Sequence, residues 1–242
     1  MTVPSAPTWL LSQHVYVCAL ADAAVLLDLR SDRYHGLTRR QSTALSLMVR
    51  GWPEVPNDTS ASADVLNAEA LAHELARQGL LTQDNALGKS ARAVVLPRVE
   101  EQLHVWDGAD WSAIRAANWC AFALAWARAT LELRLRSLAH TVARIECRKA
   151  ARRMRSPFDP AKTRELLHAF RALRPWFYTA FDRCLLDSLV LIEFLALHGQ
   201  FPTWVIAVRT GPFAAHSWVQ HEHYVLNGGP TYVRAFTPIL AI

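Results

Sequence analysis

Two side chains in the last quarter of the chain could do chemistry together. Cys184 opens the segment Cys184-Leu185-Leu186-Asp187-Ser188-Leu189-Val190-Leu191-Ile192-Glu193-Phe194-Leu195, which reads as an apolar helix closed by His198-Gly199. A thiol at a helix N-terminus sits at the positive end of the helix dipole, which favours thiolate over thiol. After the apolar run Pro202–Val208 comes Ala215-His216-Ser217-Trp218-Val219-Gln220, with the alternation of a strand. A histidine on a strand near the thiol can take its proton. The chemistry this order predicts is attack of a cysteine on an acyl group, through a thioester.

The other reactive residue types read as structural. Cys18, Cys120 and Cys147 have no paired spacing and are expected to be packing thiols on apolar strand or helix faces. With no zinc pattern and no disulfide framework, a reducing cytoplasm is the expected compartment. His221 and His223 cluster with His216 in sequence, but no carboxylate or thiol at ligand spacing completes a metal site, so none is assigned. Asp182 reads as the N-cap of the Cys184 helix. Ser188, one turn further on, reads as a helix-packing serine. The Cys184 backbone N–H is the expected oxyanion donor.

The elements that must position these residues can be read coarsely. Residues 13–38 predict three short strands: Val15–Leu20, Ala24–Leu29 and Arg33–Leu37, joined by tight turns at Ala21-Asp22 and Ser31-Asp32. Thr38 then caps a helix over Gln41–Arg50, ended by Gly51. A second helix is expected over Ala63–Gln78. Three strands followed by helices make a small winged-helix-like module over 1–82. Residues 83–97 read as a linker. Residues 98–242 form the second domain: helical from Asp110 to Arg155, a helix over Ala161–Leu173 that stops before Pro175, the Cys184 helix, then strands over 203–208, 214–220, 223–226 and 231–240. The fold class is α+β.

Composition bounds the possibilities. The chain has 242 residues, and with 52% hydrophobic residues it can bury a real core in each of two domains. Its N-terminus lacks the pattern of a signal peptide. The purest apolar stretch, Trp119–Ala127, is far short of the roughly 20 residues of a membrane span. The net charge is +5, and many arginines fall between Arg128 and Arg155. They read first as a solvated helix face and second as a docking site for an acidic peptide. Nucleic acid comes last, because no stacking aromatics are interleaved with them.

Both halves resemble the B protein of lasso-peptide biosynthesis in its fused form. In the first half the residues are Val25-Leu26-Leu27-Asp28-Leu29, Asp32-Arg33-Tyr34-His35-Gly36-Leu37, Gln41-Ser42 and Gly79-Leu80-Leu81. They are similar to the recognition element shared by enzymes that modify ribosomal peptides. In the second half they are Phe170-Arg171-Ala172-Leu173-Arg174-Pro175, Cys184-Leu185-Leu186-Asp187-Ser188-Leu189, His198-Gly199, Phe213–Val219, Val225-Leu226-Asn227 and Phe236–Leu240. These resemble the pathway's leader peptidase, a transglutaminase/papain-like cysteine protease. The resemblance implies that the precursor's leader adds as a strand beside Arg33–Leu37. Arg33, Tyr34, Leu37, Leu71 and Leu75 are then the leader-binding candidates. It also implies an ATP-dependent lasso cyclase as partner, and activity that can depend on ATP and that cyclase. This chain shows no phosphate-binding glycine loop, so no cofactor is assigned to it, nor any nucleic-acid or membrane partner.

One departure stands out. Family members usually place an aspartate directly after the Val-Leu-Asn run, completing a Cys-His-Asp triad. Here that position is Gly228. Asn227 is the candidate third member beside Cys184 and His216, as asparagine is in papain-like enzymes, and it needs a bulge or turn to face His216. Two other readings follow from the same residues. One is a catalytically impaired protein that binds and delivers the precursor. The other is an amide-forming enzyme in which an amine attacks the thioester.

Overall fold

The computed structural model describes residues 9–53, 65–103, 114–152, 158–179 and 183–242. Its contacts divide the chain into two compact units. One comprises Met1–Val95 with Val208–Ala214 and Thr237–Leu240. The other comprises Leu96–Ala207 with Ala215–Phe236 and Ala241–Ile242. The architecture is mixed: the N-terminal region is β-rich, and the C-terminal region is helical and ends in a sheet.

In the first unit, β1 (Leu10–Ser12) precedes an antiparallel meander of β2 (Val15–Ala19), β3 (Ala23–Asp28) and β4 (Arg33–Thr38). These are the three strands expected. The Asp28 carboxylate builds the β3–β4 turn by accepting from the Arg30 backbone N–H (2.8 Å) and the Ser31 hydroxyl (2.6 Å). Asp32 takes the positive φ of 54° that completes it. In the order β2-β3-β4, β4 is an edge strand. Thr38 caps α1 (Arg39–Ser46) in a reciprocal capping box with Gln41. The helix ends at Ser46, short of the expected Arg50. It packs against α2 (Val65–Arg77). Leu11, Val15, Leu26, Leu37, Leu45 and Leu75 lie in the shared core.

Residues 83–97 were expected to be a linker, and the structure differs. Strands β5 (Leu81–Thr82) and β6 (Gly88–Lys89) flank β1, and Ala91 is buried in the same core. The unit runs on to Val95. Two-residue strands carry no periodicity, so the polar turn residues around them dominate the pattern. Gly88 is there for space: a Cβ on it would lie 2.6 Å from the Cβ of Leu10.

The helices of the second unit are α3 (Ala116–Leu135), α4 (Leu138–Arg152), α5 (Pro160–Leu173) and α6 (Cys184–Leu197). The helical stretch expected over 110–155 is thus two helices, broken at Arg136-Ser137. Asp159 caps α5 through the backbone N–H groups of Ala161 and Lys162, with Pro160 at the first position. Beyond Leu173 the chain continues through Pro175 in a 3-10 turn, Arg174–Trp176, where proline at the start of a turn needs no donor.

Helix α6 is the spine of this unit. Every residue from Asp187 to Leu195 is buried, which is why the helix is apolar all round. It packs against α3 and α5. Phe122, Phe170 and Phe194 bring the three helices together, with ring centroids 5.2–6.0 Å apart. Glu193 is the exception to the apolar pattern. It is 1% exposed and pairs with Arg144 (2.6 Å) and Arg148 (2.7 Å) from α4. Two of the arginines expected on a solvated face therefore serve an interior acid.

The sheet runs β11-β8-β9-β10-β7, formed by β11 (Thr237–Ala241), β8 (Thr203–Arg209), β9 (Ala214–His221), β10 (Tyr224–Val225) and β7 (Glu101–Gln102). The strand expected over 231–240 is in fact a helical turn, α7 (Pro230–Val233), followed by β11. Pro230 at the first helical position, after an extended Gly229, explains the change. Among the described residues, no helix is long and apolar enough to cross a membrane.

Candidate active site

Cys184 is the first residue of α6. Arg183 occupies the N-cap position with φ −125° and contributes no side-chain cap. Asp182, the expected cap, lies outside the described residues. Cys184 is partly accessible, and the other thiols differ from it. Cys18 is buried, and burial pushes its thiol up to about 12. Cys120 and Cys147 are exposed, against the expectation that they pack inward. For Cys120 the reason is that helix α3 carries apolar residues on all sides, so its sequence does not show which face is buried.

His216 lies on β9. Its ring is held by Tyr232 (5.0 Å between centroids, nearly perpendicular), Phe236 (5.3 Å) and Trp218 (6.1 Å). Burial lowers its pKa below the ordinary imidazole value; the charge of Asp187 pulls the other way, and burial wins. Burial thus favours the neutral imidazole, the form a general base requires. Asp187 is three residues after Cys184 on α6, about 4.5 Å further along the helix axis. Thiol and carboxylate thus share the first turn of this helix, and the imidazole lies on β9.

Asn227 has other partners. Its Oδ1 accepts from the Val219 backbone N–H (2.7 Å), and its Nδ2 donates to Asp187 Oδ2 (2.9 Å) and Ser188 Oγ (3.2 Å). Among the described residues none of its hydrogen bonds goes to His216. Gly228 adopts φ +97°, the turn that aims Asn227 at α6. A Cβ there would meet only Val233 Cγ1, at 3.8 Å, but that backbone conformation strains any side chain.

Asp187 is the residue that sequence reasoning passed over. It is 5% exposed, and its Oδ1 accepts from the Tyr178 hydroxyl (3.0 Å) and from Arg174 (3.4 Å). Burial, then the Asp187 charge, pushes the Tyr178 hydroxyl up, which keeps it a donor. The available signal was the i, i+3 spacing from Cys184 to Asp187 inside an otherwise apolar run. Ser188 is fully buried and bonded to Asn227, in keeping with the packing role expected of it.

The three histidines do not converge. The His221 ring stacks on Phe158 (3.5 Å), and His223 lies against Tyr224 (4.1 Å). Among the described residues no group of three or more potential ligands could hold a metal. Of the leader-binding candidates, Arg33 is exposed and Tyr34 partly exposed on the edge strand β4. Leu37 and Leu75 lie in the core of the first unit, and Leu71 packs against that core.

A profile described as the transglutaminase-like superfamily matches residues 125–241, which span α6, His216 and Asn227. That stretch of the chain is thus similar to the transglutaminase-like superfamily. Lasso-peptide biosynthesis B proteins, in which a leader-recognition element is fused to a cysteine protease that cleaves leader peptides, carry a domain of this kind. No curated protein and no solved structure matches the chain.

Proposed function

We propose that this protein releases the leader from a lasso-peptide precursor through Cys184. The observation that carries the reading is Cys184 at the first position of a buried helix, with His216 on β9, both within the transglutaminase-like match. His216 takes the Cys184 proton as sulfur attacks the carbonyl carbon at the leader–core junction. The backbone N–H of Cys184 stabilises the oxyanion. The C–N bond breaks, and His216 hands the proton to the departing amine of the core. Water, deprotonated by His216, then opens the thioester and frees the leader carboxylate.

Recognition is assigned to the winged-helix-like module at 1–82, and catalysis to 98–242. Among the described residues β4 is an edge strand, to which an extended leader can add a strand. Arg33 and Tyr34 offer it side chains, while Leu37, Leu71 and Leu75 shape the ground beneath. The freed core passes to the ATP-dependent cyclase, which the family context also makes a partner in cleavage.

The test is to incubate the full chain with the precursor, cyclase and ATP and to weigh the products. Leader and core are expected. Tyr34→Ala should raise KM for the precursor about tenfold, equivalent to about 1.4 kcal/mol, with kcat unchanged. An unchanged KM removes Tyr34 from recognition. The glycine at 228 favours one rival, a protein that binds and delivers the precursor without cutting it. Leader binding with no product under any condition would select that rival.

A further inference from the structure

We infer that Phe213, Tyr34 and Gly36 together receive a large apolar side chain of the leader, on the face of the β2-β3-β4 meander turned away from α1 and α2. The inference rests on the reading that the leader adds a strand to β4, and it names the residues that select among leader sequences.

Side chains alternate between the two faces of a strand. Leu37 and its cross-strand partner Ala24 face the core shared with α1 and α2, as does Leu26. Tyr34 and Gly36 are therefore on the other face, opposite Leu27 and Val25 of β3. That face is apolar too: Val25 and Leu27 are buried, as is Cys18 beside Val25 on β2. The segment Val208–Ala214, which links β8 to β9, belongs to this same unit. It meets the meander at two points. The Thr210 hydroxyl donates to Asp22 Oδ1 (3.4 Å), and the Phe213 ring packs edge-on against Tyr34, with centroids 5.5 Å apart. Two features leave room at the edge. Phe213 is 53% exposed although it leans on Tyr34. A Cβ on Gly36 would meet nothing within 4 Å, and the φ of Gly36 is not positive, so what the glycine supplies is space. A leader strand paired to β4 sets alternate side chains on this face, about 4.5–5.5 Å from their direct cross-strand neighbours. The one opposite Gly36 meets no side chain across from it, and a large group there covers the glycine. Tyr34 is its diagonal neighbour, within reach of a long side chain, and Phe213 extends that aromatic wall. Covering these rings removes apolar surface from water, which a charged or small side chain does not do.

The test uses the full chain and a synthetic leader peptide, followed by titration calorimetry. Phe213→Ala is expected to raise the leader Kd about tenfold, the scale on which a truncated aromatic contact is felt. Gly36→Val fills the same space from β4 without touching the segment that carries Phe213. It is expected to raise Kd by a similar factor with an unchanged melting temperature, because its Cβ meets nothing. A purely structural role for Phe213 does not predict that second result. Alanine replacement of each large apolar residue of the leader should then find one whose loss weakens binding to the wild type but not to Phe213→Ala. Should Phe213→Ala fail to fold, as judged by its melting curve, the leader series is run against Gly36→Val instead. A wild-type Kd in Gly36→Val, or in folded Phe213→Ala, overturns the inference and leaves strand addition at β4 standing. A leader series in which no position shows the expected pattern does the same. A wild type that binds no leader overturns the recognition reading itself, and the inference with it.

Discussion

Cys184→Ala is expected to lose leader release by about 10⁴-fold or more while binding the leader with the wild-type Kd. The size of the effect follows from the covalent route. Without sulfur no thioester forms, and His216 would have to activate water across a site built for a thiol. Binding is spared because recognition is assigned to β4, on a different part of the chain. The check pairs single-turnover cleavage with titration calorimetry of the leader on one preparation. Cys120 and Cys147 are exposed, so thiol labelling is informative only when the modified peptide is identified. Cleavage by Cys184→Ala at a tenth of the wild-type rate would falsify the nucleophile assignment.

The second large effect is on stability. Glu193 lies inside the second unit with two arginines on its oxygens. Burial alone would push its carboxyl up, but Arg148 and Arg144 hold it below the ordinary carboxylate value. Removing one partner of a buried ion pair costs about 3–5 kcal/mol. Glu193→Ala belongs near the low end, because the Arg144 and Arg148 side chains are 31% and 23% exposed and can turn toward water. A loss of about 3 kcal/mol lowers Tm by roughly 10 °C in a domain of this size. The pH dependence has a definite sign. A carboxylate whose folded pKa is lowered stabilises the fold above its unfolded pKa, about 4.3, and that contribution is lost as pH falls through the folded value. The wild-type and Glu193→Ala denaturation midpoints should therefore converge below about pH 4. Equal midpoints at pH 7 would mean that the ion pair contributes no net stability.

Much of this was legible in the sequence, for physical reasons. The meander over residues 15–38 shows because its strands are long enough to display pattern and its turns carry Asp and Ser. Thr38 and Gln41 announce α1 through a capping box. The start and end of the Cys184 helix are marked by the change from polar to apolar residues and by His198-Gly199. Strands β5, β6 and β7 were hidden because two residues have no period. Glu193 and Asp187 were hidden for another reason. An acid in an apolar helix reads as a surface residue until its partners are known, and here those partners lie 45 to 49 residues away for Glu193 and 9 to 40 away for Asp187. The pattern of Asn227 suggested a partner for the histidine. What it could not show is that both amide hydrogens are spent on α6, which a local sequence motif does not encode.

Hydrolysis of the leader–core bond through Cys184 can be read from the fate of the acyl group. The full chain, the precursor, the cyclase and ATP are incubated in water enriched in heavy oxygen, and the released leader is weighed and sequenced by mass spectrometry. A single cut at the leader–core junction is expected, with one heavy oxygen in the new leader carboxylate, and neither product with Cys184→Ala. A precursor that stays intact, or a leader joined to an amine without heavy oxygen, would contradict it.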